Sequence, residues 1–217
     1  GSFVGGLYAS GVPIDIMIKW AKKFRWSRFI AIDLFKHSLL SNKKLERYLY
    51  KLIGNANIKN LKIPFISQAT NILTGEGVTF YNQDIQLYKV IQASMAFPGL
   101  FQPYKIGDTY YIDGGVSNNV PIQRLKDLGA TYTIAVNITP RTILSAPPKS
   151  MKETLERSLD LLISRATEQS VYSADVTLLP NVTNISIFDL KKVDALLESG
   201  YLSVIEQLPR LKELHHN

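Results

Sequence analysis

A layered α/β domain with a mostly parallel sheet is the fold class that this sequence of 217 residues predicts. Three observations carry the prediction. β-branched, strand-like runs alternate with stretches of helical period. Residues 131–138 are β-branched and apolar, as a strand buried in a parallel sheet requires. Hydrophobic residues make up 46% and charged residues 20%, an ordinary globular balance, and a chain of this length buries a core without staples. One domain is expected, or two small ones at most.

The elements follow in order. Small residues dominate one face of residues 1–11, which predicts a buried helix packed closely on a sheet, with Gly11 as its stop. Pro13 and Asp15 start the next helix, which runs to about Phe24 with Ile14, Ile18 and Ala21 inward. Ser41 caps a helix that Gly54 ends, with Leu45, Tyr48, Leu49 and Leu52 on its apolar stripe. Residues 63–72 read as a strand, 74–77 as a turn and 78–81 as the return strand. Asp84 is expected to cap a helix through Met95, broken at Phe97-Pro98-Gly99. Residues 103–106 and 109–112 form a hairpin around Gly107-Asp108. Pro121 opens a helix ending at Gly129, residues 131–138 are a strand, and 139–149 a loop. Ser150-Met151-Lys152-Glu153 is a capping box, opening a long helix with Met151, Leu155, Leu159, Leu162 and Ala166 on one stripe. Residues 176–179 are a strand. From about Asp189 the chain is helical, with Leu196, Leu197, Leu202, Ile205 and Leu211 as its apolar positions.

The hairpin delivers Tyr110-Tyr111-Ile112-Asp113-Gly114-Gly115, a strand ending in a carboxylate and two glycines. Such an Asp either caps its own turn or acts on a neighbouring group. The residue inventory narrows the choice. The sequence holds three histidines, His37, His215 and His216, and no cysteine. A Ser-His-Asp triad has almost no candidate base, thiolate chemistry is excluded, and no His-based metal site has workable spacing, so neither metal nor cofactor is expected. No Walker A or strand–GxGxxG–helix pattern occurs. A hydrolase built from these residues needs a carboxylate base acting directly on a serine, together with backbone N–H groups for the oxyanion.

The net charge is +7 and the pI about 9.4, a balance that favours anionic partners. The densest group is Lys19, Lys22, Lys23, Arg25 and Arg28, interleaved with Trp20, Phe24 and Trp26. It reads as an amphipathic helix with a solvated basic face, with a membrane surface as the alternative. Without a helix-turn-helix or RNP-like motif, no nucleic-acid partner is expected. No apolar run reaches the ~20 residues that span a bilayer. A cytoplasmic protein, with peripheral membrane contact as an option, is the expected location.

The order and spacing of four segments resemble the patatin-like phospholipases, in particular the bacterial NTE-type, RssA-like esterases. Phe3-Val4-Gly5-Gly6-Leu7-Tyr8-Ala9-Ser10-Gly11 is similar to the helix after that family's nucleophile elbow. Ala93-Ser94 with Pro98-Gly99-Leu100-Phe101-Gln102-Pro103 is similar to its A-S-x-x-x-P-x-x-F-x-P stretch. Asp113-Gly114-Gly115 is similar to its D-G-G/A motif, and Asn118-Asn119-Val120-Pro121 follows as in the family. The resemblance implies a single three-layer α/β/α domain over 1–217 with its first strand and oxyanion loop missing. It implies a lipid acyl-ester hydrolase in which Asp113 is the base of a Ser-Asp dyad, and Gly114 and Gly115 shape the loop that lets the nucleophile's turn approach. Phospholipid or lysophospholipid as substrate is also implied by the resemblance alone. Phe97, Leu100 and Phe101 are candidates for an acyl pocket, with core packing equally able to explain them.

The sequence departs from the family in one respect. No G-x-S-x-G occurs in it. The alignment places Gly1 at the elbow's last glycine, so the nucleophile is expected two residues upstream. Gly1-Ser2 as a cloning remnant is the other reading. Ser2 falls three residues late, about 4.5 Å along a helix, and is not assigned as nucleophile. Residues 1–217 alone are therefore expected to be inactive. A noncatalytic regulator that binds lipid or protein is the alternative function.

Overall fold

The computed structural model describes residues 1–30, 39–139, 146–183, 185 and 192–216. His37, Asp189 and most of the expected loop at 139–149 lie outside them. The chain divides into two units, residues 1–117 and 118–217.

The first unit opens with α1 (Ser2–Ala9) and α2 (Ile14–Lys23). Gly11, at φ 86°, ends α1 as expected, its N–H donating to the Tyr8 carbonyl at 2.9 Å. A 3-10 turn, Trp26–Phe29, leads on, and α3 (Asn42–Ile53) follows behind the Ser41 cap, with Gly54 at φ 58° as its stop. Then come β1 (Ile66–Asn71), β2 (Gly77–Tyr81), α4 (Leu87–Ser94), β3 (Tyr104–Ile106), β4 (Thr109–Asp113) and the single turn α5 (Gly115–Asn118). The four strands form one sheet in the order β2-β1-β4-β3.

α4 organises this unit. Leu87, Val90, Ile91, Gln92 and Ala93 are all buried, and the helix packs against α1, α3 and the sheet. α1 lies close to it because Gly6 has no side chain: a Cβ there would stand 3.0 Å from Ile91 Cδ1. From α3, Leu45 and Leu49 complete the core, and Phe24, Phe29 and Tyr48 interlock at ring-centroid distances of 5.1 to 5.6 Å.

Three expectations change here. α1 buries Gly6, Leu7 and Ala9 but exposes Val4 and Tyr8. α2 has no fully buried residue, and Ile14 and Ala21 face out. Ile18 is half-buried as expected, but so are Ile16, Met17, Trp20 and Phe24, the face selected by anchoring Phe24 among the aromatic rings. Asp84 does not cap α4. It accepts from Asn57 Nδ2 at 2.6 Å, while the chain stays extended to Gln86 through a bridge to Asn57.

The α/β class holds, but the sheet of this unit is antiparallel: β1–β2 and β3–β4 are hairpins, and β1 also runs antiparallel to β4. Short turns force that direction within the two hairpins, because parallel neighbours need a long crossover; β1 and β4 then meet antiparallel across the intervening chain. The parallel pairing appears in the second unit.

The second unit contains α6 (Ile122–Asp127), β5 (Ile134–Val136), α7 (Met151–Val171), β6 (Val176–Leu178), α8 (Val193–Glu206) and α9 (Leu208–His216). β5 and β6 pair in parallel, aligned from Ile134 opposite Val176 to Val136 opposite Leu178. Asp175 fixes the start of the pair: its Oδ2 accepts from the Thr133 backbone N–H at 2.8 Å and from the Thr133 hydroxyl at 2.7 Å. Ile122, Ala135 and Val171 make a small core. Ser150 caps α7 as expected, its Oγ accepting from Glu153 N–H at 3.1 Å, while the Glu153 carboxylate reaches back one residue further and accepts from Lys149 N–H at 2.7 Å. Of the stripe expected on α7, Leu159 is half-buried, but Met151 is 90% exposed, and Leu155, Leu162 and Ala166 are exposed too. The buried positions are Thr167 and Val171, because only the C-terminal turns of α7 meet the small core. In α8 the buried residues are Val193 and Ser203, while Leu197, Leu202 and Ile205 are exposed.

Candidate active site

Asp113 ends β4, one of the two inner strands of the sheet, opposite Ala69 of β1. Its backbone is held on two sides: the N–H donates to the Ala96 carbonyl at 3.0 Å, and the carbonyl accepts from Thr70 Oγ1 at 3.0 Å. Thr70 Oγ1 is also 2.9 Å from Ser117 Oγ. Ser117 Oγ in turn donates to the Gly114 carbonyl at 3.3 Å, so the two hydroxyls share their hydrogens among three contacts around this loop.

The carboxylate is held as well. Oδ1 accepts from the Gly115 N–H at 2.7 Å, and among the described residues Oδ2 makes no hydrogen bond. Burial raises the Asp113 carboxyl above the usual aspartate range. The Gly115 N–H opposes that rise.

The two glycines do different things. A Cβ on Gly114 would collide with the Gln68 carbonyl oxygen and stand 2.6 Å from the Gln68 carbonyl carbon, so this residue allows β1 to pass close beneath the loop. Gly115, also buried, contributes its N–H to the carboxylate as α5 begins. The close approach that Gly114 permits is thus to β1.

Sequence reasoning missed a cluster of hydroxyls beside this loop. Ser2 Oγ lies 2.7 Å from Ser67 Oγ on β1 and 2.6 Å from Ser94 Oγ at the end of α4. The cluster ties the first turn of α1 to the strand and helix that flank Asp113. Ser94 was visible in the Ala93-Ser94 segment and Ser67 on the inward alternation of a strand, but neither position signals its partner. Of the apolar candidates, Phe101 sits in the main core, Leu100 packs against that core, and Phe97 is half-buried.

Residues 1–126 match the family described as patatin-like phospholipase. The chain is similar to lysophospholipase NTE1 of Debaryomyces hansenii, at 31% identity over 64% of this chain and 9% of the relative. It is similar to lysophospholipase NTE1 of Meyerozyma guilliermondii, at 28% identity over 93% of this chain and 16% of the relative. It is also similar to an uncharacterized NTE family protein of Mycobacterium bovis, at 29% identity over 64% of this chain and 38% of the relative. The chain thus spans less than two fifths of each of these relatives. A family match over more than half of the sequence, reaching from α1 through the Asp113 loop, settles the identification: the chain belongs to the patatin-like phospholipase family.

Proposed function

We propose that this chain carries the base of a lipid acyl-ester hydrolase, with Asp113 as the carboxylate of a Ser-Asp dyad and a lysophospholipid or phospholipid as substrate. The supporting observation is the placement of the Asp113 carboxylate: one oxygen is fixed by the Gly115 N–H, the other makes no hydrogen bond among the described residues, and Ser2 at the start of α1 is bonded to Ser67, two residues along β1 from the Ala69 that pairs with Asp113. The substrate class is taken from the two yeast relatives, which are lysophospholipases by name.

In this reading the serine precedes Gly1, on the turn that enters α1. Asp113 Oδ2 takes the Oγ proton as Oγ adds to the ester carbonyl. Collapse of the tetrahedral intermediate breaks the bond to the leaving alcohol, which takes the proton back from Asp113. Water then gives a proton to Asp113, attacks the acyl-serine and releases the fatty acid, and the proton returns to serine Oγ. The Ser2–Ser67–Ser94 cluster holds the first turn of α1, and hence the nucleophile's turn, in place. Ser2 itself is engaged with the two other serines, in keeping with its not serving as nucleophile.

Hydrolysis of p-nitrophenyl butyrate tests the reading. Residues 1–217 alone should be inactive, the chain extended by its natural upstream residues active, and the extended Asp113→Asn variant reduced by ~100-fold or more, the low end of what a positioned base contributes. Activity of residues 1–217 that disappears on Asp113→Ala would overturn the upstream serine. An extended chain that turns over no ester would favour a regulatory role.

A further inference from the structure

We propose that the outward face of α3, with the adjoining end of α2 and the turn Trp26–Phe29, docks this chain onto an anionic lipid bilayer. The charge distribution is the first observation. Residues 1–117 hold fourteen Lys and Arg against seven Asp and Glu, and residues 118–217 hold eleven against eleven. The whole excess of +7 therefore belongs to the first unit. Within that unit it is concentrated further: residues 1–62 hold twelve bases against three acids.

The structure shows how that excess is displayed. On α3, Lys43, Arg47 and Lys51 are exposed at successive i, i+4 positions, so they form one stripe along the helix. Among the described residues none of the three has an ion-pair partner. Like charges at this spacing disfavour a helix. The one acid on α3, Glu46, is turned away from the stripe: its Oε2 accepts from the buried Tyr104 hydroxyl at 3.0 Å. Burial, and after it the contact with Glu46, raises the Tyr104 hydroxyl well above its ordinary value.

The interlocked rings of Phe24, Phe29 and Tyr48 fix the end of α2 and the Trp26–Phe29 turn against α3, which brings exposed Lys23, Arg25 and Arg28 beside the stripe. Arg28 is close enough to act on the Tyr48 hydroxyl. Lys44 Nζ reaches across to the Ile30 carbonyl at 2.9 Å.

Exposed apolar side chains stand among these bases: Ile30, Leu39 and Tyr50 are 52%, 58% and 47% exposed. Cations interspersed with apolar and aromatic groups suit a phospholipid interface, where headgroups meet the bases and acyl chains receive the apolar tips. A nucleic-acid duplex would use the cations but not the isoleucine and leucine. No described helix is long and apolar enough to cross a membrane, so this contact is made from the surface. The choice of a lipid over another polyanion rests on the lipid-hydrolase reading; the surface itself does not.

Co-sedimentation of the full chain with phosphatidylcholine vesicles, with and without phosphatidylglycerol, tests the proposal. Binding should require the anionic lipid and weaken as salt is raised. Lys43→Glu with Arg47→Glu should weaken it at least about tenfold, and Arg210→Glu with Lys212→Glu, the same change of charge on α9, should leave it within about twofold. Equal losses in both pairs, or no binding to anionic vesicles, would overturn it. Tighter binding to a DNA duplex than to the vesicles at the same salt would overturn it in favour of nucleic acid. Hydrolysis of a soluble short-chain ester by the active extended chain, measured beside sedimentation, separates a failure of docking from a failure of the hydrolase reading.

Discussion

Asp113 is two things at once. Its Oδ1 ties down the Gly115 N–H, which is the ordinary work of an Asp before a turn, while among the described residues Oδ2 makes no hydrogen bond. Burial raises its carboxyl, so the group contributes stability only at low pH, below its unfolded pKa. That contribution is lost as pH rises through the folded value. At neutral pH the ionised carboxylate is a strain on the fold. Asp113→Asn should therefore melt no lower than the parent chain in neutral buffer, since the amide oxygen still accepts from Gly115, yet abolish hydrolysis in the extended chain. A variant that loses both stability and activity would make Asp113 structural. Because the base must be ionised to work, the acid limb of kcat/KM should fall above the ordinary aspartate range. Gly114→Ala puts a methyl group onto the Gln68 backbone, which cannot step aside, and should destabilise by about 1–3 kcal/mol or more. Gly200→Ala on α8 meets nothing within 4 Å and should stabilise by ~1 kcal/mol, so melting curves of the two variants should move in opposite directions.

The elements differ in how far the sequence disclosed them. Caps and turns were legible because their chemistry is local: Ser41, Gly54, Gly107 and Ser150 act within four residues of themselves. Faces were less so. The inward side of α2 depends on where Phe24 is anchored, and the bare stripe of α7 on how little of that helix meets a core, neither of which a periodic pattern contains. Both hairpins of the main sheet are legible from their turns, but the antiparallel pairing of β1 with β4 that joins them is not, because it links strands that α4 separates in the chain. The start of β5–β6 hangs on Asp175, whose carboxyl is lowered by its hydrogen bonds from Thr133. Its contribution is present above the unfolded aspartate value and lost as pH falls through the folded one. Asp175→Asn should therefore lower the melting temperature at about pH 7 and make little difference at about pH 2, where aspartate is protonated in either state.

The chain as a whole joins two units of unlike character. The first holds a large core around α4, the candidate base and all of the net charge; the second is electrically balanced, with a small core and a long helix whose apolar residues stand in the open. Of the site, Asp113 and its glycines were readable because three residues in a row announce a turn after a strand. The serine cluster was not, since Ser2, Ser67 and Ser94 are 65 and 92 residues apart in pairs and meet only when α1 lies against both β1 and α4. Gly6, which allows that approach, was legible only as one small residue among several.

The ladder between β1 and β4 has a consequence for how the molecule comes into being. β1–β2 and β3–β4 join neighbours in sequence and can close on the microsecond timescale of hairpins. Residues 69 to 71 meet residues 111 to 113 only after the intervening chain, α4 included, has been gathered in, and that closure is entropically the harder one. Asp113 reaches Ala69, and Gly114 passes over Gln68, in this same late step. A nascent or partly unfolded chain can thus hold both hairpins and still lack a placed carboxylate, so hydrolytic competence should arrive with the last long-range pairing rather than with the bulk of the secondary structure.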